Sequence, residues 1–152
     1  MKRIVAVFVC LLNGANIHAE PCQIVDVTDG DTLKAQCDSN RLVKIRMVDI
    51  DAPEKKQAFG QKLKQSLADM CFGRSAELLE QGKDRYGRTL ARVKCNGVDA
   101  NAEQVRRGMA WVYDKYVTDR SLYAVQDSAR ARAVGLWLDK APVAPWEWRH
   151  GK

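Results

Sequence analysis

The chain has 152 residues, with 25 Lys or Arg against 19 Asp or Glu and a formal net charge of +6. That length carries one domain with a real core, and the modest, dispersed basic excess favours an anionic partner such as nucleic acid without specifying a sequence-reading mode. The only histidines are His18 and His150, and there is neither a glycine-rich nucleotide loop nor a nucleophile-elbow serine, which argues against histidine-based hydrolysis, nucleotide cradling and serine catalysis.

Residues 1–19 read as an export signal. Met1-Lys2-Arg3 is basic, 4–12 is an apolar run too short to span a bilayer, and the segment ends on the small residue Ala19. Cleavage there would leave 20–152 as a single domain, exported to periplasm or medium and free of the membrane. Loss of Lys2 and Arg3 would lower the charge from +6 to +4. Cys22, Cys37, Cys71 and Cys95 remain, an even set that reads as two disulfides in an exported chain. Residues 23–27 and 32–37 flank Asp29-Gly30, a hairpin signal. A two-residue loop sets Thr28 opposite Asp31, and the same register sets Cys22 opposite Cys37, within bridging reach. Cys71 is then left for Cys95. Spacings resembling a zinc site are absent from the sequence.

A third strand is predicted over 42–50, with Val43, Ile45 and Met47 on one face, Lys44 and Arg46 on the other, and Pro53 beyond its end. Residues 61–72 follow as a helix with Leu63, Leu67, Met70 and Cys71 on one stripe, stopped by Gly73. Strands over 75–80 and 89–95 flank a turn at 84–88. Asn101 with Gln104 resembles a capping box opening a second helix that Gly108 stops. A third helix is expected over 121–135, with Leu122, Val125, Ala129 and Leu136 inward. The prolines of 141–149 predict an extended segment whose Trp146 and Trp148 cover the core. Together these elements predict an α+β fold, a five-stranded OB-type Greek-key β-barrel with three α-helices.

Three short blocks carry the candidate chemistry: Asp29-Gly30-Asp31-Thr32, Arg46 through Asp51-Ala52-Pro53-Glu54, and Asp84-Arg85-Tyr86-Gly87-Arg88. Asp and Glu offer the hard oxygens that Ca²⁺ or Mg²⁺ prefers, and Arg offers a planar fork of permanent charge for phosphate. Each block lies at a predicted strand end. Asp29 reads as a turn former and Asp84 as the residue that orients its turn. Asp49 reads as a structural acid, because its spacing from Arg46 does not suit a ligand.

These blocks, in this order, resemble the thermonuclease family, the staphylococcal (micrococcal) nuclease type. Asn101-Ala102-Glu103, Arg106-Arg107-Gly108-Met109-Ala110 and Gly135-Leu136-Trp137 extend the resemblance over about 23–137. The resemblance implies an OB barrel and a Ca²⁺-dependent, sugar-nonspecific endonuclease that hydrolyses DNA and RNA at the 5′ P–O bond, leaving 3′-phosphates. It further implies Asp31, Asp51 and the Ala52 backbone carbonyl as metal ligands. Glu54 would act as or position the general base, and Arg46 and Arg88 would bind phosphate and stabilise the transition state. Arg85, Tyr86 and Tyr113 are the expected substrate contacts, with Tyr116 competing for the last role. The sequence departs from the best-known member in Ala52, in Arg85 and in a shorter 55–60 loop. Nothing in the sequence marks an oligomer, so a monomer is expected.

Overall fold

The computed structural model describes residues 21–151, so the predicted signal segment lies outside the described residues. Strands β1 (Cys22–Val27), β2 (Thr32–Cys37) and β3 (Arg41–Met47) form an antiparallel meander. After a two-residue strand β4 (Ile50–Asp51) and helix α1 (Gly60–Cys71), strand β5 (Ser75–Lys83) returns beside β1 and β6 (Thr89–Cys95) pairs antiparallel with it. Parallel pairing of Ile45 with Thr89 and Met47 with Ala91 joins β3 to β6. That pairing closes five strands into a barrel, the expected OB-type arrangement. Strand β6 alternates strictly between buried and half-buried residues, as a barrel wall must.

Short strands β7 (Val98–Asp99) and β8 (Trp111–Val112) flank α2 (Ala100–Arg106), and α3 (Leu122–Ala131) and α4 (Pro145–Trp148) complete the chain. The described residues therefore hold four α-helices where three were expected. The addition is α4, in the segment predicted to be extended. Pro145 sits in its first turn, where a fixed φ and a missing N–H suit a helix start.

The β1–β2 loop has three residues rather than two. The Thr28 N–H donates to the Thr32 carbonyl at 2.9 Å, and Val27 faces Leu33. A bulge between Ile24 and Asp26 absorbs the extra residue, so Gln23 faces Gln36 and Cys22 bonds to Cys37. The second disulfide joins Cys71 at the end of α1 to Cys95 at the end of β6. Replacing both Cys71 and Cys95 with Ala should lower stability by about 2–4 kcal/mol, read from urea unfolding beside the oxidised parent.

Two further expectations are corrected. Asn101 and Gln104 form no capping box. The cap of α2 is Asp99, whose carboxylate accepts from the Ala102 N–H at 3.1 Å. Both amides are fully buried instead. Helix α3 ends at Ala131, and a 3₁₀ turn over Gly135–Leu138 follows it. Leu122, Ala129 and Leu136 are buried as predicted, while Val125 is half-buried and Gln126 takes an inner place. Gly108 and Gly135 meet backbone to backbone. A Cβ on Gly108 would fall 2.2 Å from the Val134 oxygen, and one on Gly135 would fall 2.3 Å from the Gly108 oxygen. That contact explains why both glycines stand in the motifs they do.

Candidate active site

Strand register assembles the site. Thr32 pairs directly with Arg46, and the Met47 N–H donates to the Asp31 carbonyl at 2.9 Å, so Asp31 lies beside the end of β3. Val43, Ile45 and Met47 point into the core, which leaves Arg46 on the opposite face. Strand β4 pairs Asp51 with Trp111 and turns its side chain toward the same point. The Asp29–Asp31 loop is pressed close to this wall. A Cβ on Gly30 would lie 2.8 Å from the Ala52 Cβ and 2.9 Å from that of Leu63. Gly30 is needed for close approach rather than for a left-handed turn. Its carbonyl accepts from Gln104 Nε2 at 3.0 Å, and the same amide nitrogen reaches the Leu63 carbonyl at 3.2 Å. A buried amide on α2 thus holds the acidic loop in place.

Asp31 and Asp51 converge on one guanidinium. Arg46 Nη2 lies 3.0 Å from Asp51 Oδ1 and 3.3 Å from Asp31 Oδ2. Arg46 Nη1 donates to the Met47 and Ile50 carbonyls at 2.5 and 2.9 Å, which fixes the fork. Asp31 Oδ2 also accepts from the Ala52 N–H at 2.7 Å. Both carboxylates are at most 5% exposed, so neither can rely on water and each requires a cation or a donor. Burial raises the Asp51 pKa, the Asp31 charge adds to this, and hydrogen bonding to Arg149 and the charges of Arg46 and Arg149 pull it back.

Glu54 stands at the entrance to the 55–60 loop. The Gln57 N–H donates to the Glu54 carbonyl at 2.8 Å, and the Glu54 N–H donates to Gln57 Oε1 at 3.3 Å, so this shortened loop folds back on Glu54. Arg149, which sequence reasoning missed, bridges the acids. Its Nη2 lies 2.5 Å from Asp51 Oδ2 and its Nη1 lies 2.8 Å from Glu54 Oε1. Burial opposes its charge, but Asp51 and Glu54 hold it more firmly protonated than an arginine in water.

The third block stands somewhat apart. Asp84 Oδ1 accepts from the Tyr86 and Arg88 N–H groups, and Asp84 Oδ2 accepts from Arg88 Nε at 2.7 Å. The turn is braced as expected of Asp84. Among the described residues no contact joins Arg88 to Asp31, Asp51 or Glu54, and its Nη groups carry no hydrogen bond. Arg85 and Arg88 both lie over the exposed ring of Tyr86, at 4.8 and 5.6 Å from its centroid. Tyr113 is tied by its N–H to the Asp49 carbonyl at 2.9 Å, and its ring stacks on Trp146, centroids 5.4 Å apart and planes within 5°. Tyr116 meets Tyr113 edge-on. Asp49 is structural: its carboxylate accepts from the Thr118 N–H and hydroxyl at 2.6 and 2.9 Å. Trp146 packs on Trp111 as a core cover should, but Trp148 is exposed.

Asp31 and Asp51 offer hard carboxylate oxygens of the kind a divalent cation prefers, and the Ala52 carbonyl is the third ligand that the sequence led us to expect. Among the described residues no three His, Cys, Asp or Glu side chains cluster as a cage, so a cation here would need that carbonyl and water as well. The buried negative charge, now met by two guanidinium groups, fits such an ion.

The staphylococcal nuclease homologue family matches residues 44–139. The chain belongs to the staphylococcal nuclease family. A Haemophilus influenzae protein named an uncharacterized endonuclease is 42% identical over 139 residues, which cover 91% of this chain and 78% of that protein. A micrococcal nuclease of Shigella flexneri is 38% identical, covering 84% of this chain and 79% of its own length. A staphylococcal-like nuclease of Arabidopsis thaliana is 36% identical over 72% of this chain and 34% of its own. At the level of the family, this staphylococcal nuclease homologue is an endonuclease.

Asp29 sits behind the acidic pair, with Oδ1 accepting from the Asp31 N–H at 3.1 Å. Burial first, and the Asp31 charge second, push its carboxyl up to about 6 from an ordinary 3.8. The folded chain therefore holds this proton more tightly than the unfolded one, and stability is lost as pH rises from about 4 to about 6. Asp29→Asn keeps the acceptor and removes the charge. It should raise the cation-free Tm at pH 8 by on the order of 5 °C, with the gain shrinking toward pH 4. A gain independent of pH would exclude this titration as its source.

Proposed function

We propose that this enzyme is an exported, Ca²⁺-dependent, sugar-nonspecific endonuclease that hydrolyses DNA and RNA at the 5′ P–O bond and leaves 3′-phosphates. The observation that carries the reading is the convergence of Asp31 and Asp51 on Arg46, with Glu54 linked to the same cluster through Arg149. A divalent cation on Asp31, Asp51 and the Ala52 carbonyl would neutralise phosphate charge and acidify water at the site. Glu54 is half exposed beside that cluster and takes the proton of the attacking water at a carboxylate oxygen. The water oxygen bonds to phosphorus as the bond to the 5′ oxygen breaks, and the leaving oxygen acquires a proton. Arg46 and Arg88 donate to the phosphate oxygens, where five-coordinate phosphorus carries added negative charge.

Arg85, Tyr86 and Tyr113 would contact substrate through charge and ring faces, which tolerate any base and explain low sequence specificity. Export is supported by the basic-then-apolar start of the sequence and by two disulfides, which suit an oxidising compartment. A monomer is the simplest state. The test is nicking of supercoiled plasmid and digestion of RNA with Ca²⁺. Excess chelator should abolish both, and the fragments should resist 3′-extension until dephosphorylated. Cleavage that survives chelation would refute the cation's role.

A further inference from the structure

The segment 143–149 lies across the site in two places. The Val143 carbonyl accepts from Gln57 Nε2 at 2.8 Å, and Pro145 is buried. Trp146 then stacks on Tyr113 and meets Trp111 edge-on at 5.7 Å. One helical turn later, Arg149 bridges Asp51 and Glu54. An aromatic plane thus covers the ring expected to contact substrate, and a cation covers the carboxylates expected to hold a metal ion and a proton. A divalent ion at Asp51 and a guanidinium 2.5 Å from its Oδ2 compete for the same lone pairs, and their like charges repel.

We propose that Pro145–Arg149 is an internal strap that occupies the active site, so that binding of the divalent cation requires Arg149 to leave Asp51 and Glu54. This rests on the metal-site reading above. The strap is built to release. Helix α4 has four residues, and although Pro145 at its start is buried, its end is open, with Arg149 and Trp148 about 36% and 45% exposed. So small and exposed an element opens at low cost compared with the barrel. Trp146 and Arg149 share that one helical turn, so loosening either weakens the hold of the other.

The test uses the full chain and three preparations: parent, Arg149→Gln and Trp146→Ala. Direct titration with Ca²⁺, and with Tb³⁺ as a luminescent probe, reads affinity without catalysis. A strap closed nine-tenths of the time lowers apparent affinity about tenfold. Both variants should therefore bind about tenfold more tightly than the parent. In the parent itself, saturating Ca²⁺ should speed amide exchange at Trp148, Arg149 and His150, whose N–H groups now donate to Ala144, Pro145 and Glu147 carbonyls. That measurement needs no variant to fold. Equal affinity in all three proteins, or unchanged exchange on binding, overturns the strap and leaves the metal site intact. Weaker binding in Arg149→Gln also overturns it, by making Arg149 a support of the site. If none of the three proteins binds the ion, the metal-site reading fails and the strap falls with it.

Discussion

Replacing Arg46 with Ala should lower kcat/KM for plasmid cleavage by on the order of 10²–10³-fold, more than any surface arginine of this chain. Its guanidinium faces two buried carboxylates and two backbone carbonyls at once, so its position is over-determined. That is the preorganisation required for stabilising charge that develops on phosphate. Removal has a second consequence. Asp31 and Asp51 lose the charge between them, and breaking a buried ion pair on one side costs about 3–5 kcal/mol. Arg149 still reaches Asp51 and offsets part of this. Added Ca²⁺ should restore part of the lost Tm in Arg46→Ala while leaving the rate low. Arg46→Lys separates the two roles. It keeps the charge but cannot reproduce a planar fork toward four acceptors, so its Tm should recover further than its activity. An Arg46→Ala enzyme within threefold of the parent would remove Arg46 from the transition state.

The sequence carried the local parts of this site and missed the distant ones. Asp31, Arg46 and Asp51 stood out as members of three motif blocks and of the family resemblance those blocks carry, and strand register brings the three side chains together. The disulfide from Cys22 to Cys37 could be found from the hairpin register, although the loop is one residue longer than expected and a bulge compensates. The bulge breaks the alternation itself: Ile24 and Val27 are both buried although three positions apart, with Val25 and Asp26 half-buried between them. Asn101 and Gln104 misled because a buried amide and a capping amide look alike in one dimension. Only the packed fold reveals that Asn101 serves the Val93 N–H and the Val48 carbonyl, and that Gln104 braces Gly30. Arg149 carried no motif or spacing signal of its own. It meets Asp51 across 98 positions, from a proline-rich segment where no spacing rule applies. Its one visible hint was the Trp146-Glu147-Trp148 run, aromatic residues too large to be left without a surface to cover.

Glu54→Gln should bind Ca²⁺ and DNA nearly as the parent does yet cut about 10²–10⁴-fold more slowly. The substitution is nearly isosteric, and Gln Oε1 can still accept from Arg149 Nη1, now 2.8 Å from the glutamate. The loop that positions Glu54 is held through its backbone, by Gln57 on both the carbonyl and the N–H, so it does not depend on the side-chain charge. What Gln cannot do is accept a proton from water near neutral pH. A loss confined to kcat, with unchanged Tm and cation binding no weaker than the parent's, assigns Glu54 to proton transfer or to orienting the attacking water. The pH profile divides those two roles. If Glu54 is the base, the acidic limb of kcat belongs to it and should vanish in Glu54→Gln, leaving a slow rate set by hydroxide that climbs with pH. If it only orients water, the limb should persist at reduced height, because the titrating group is elsewhere. Turnover equal to the parent's would exclude both roles and leave Glu54 as a partner of Arg149 alone.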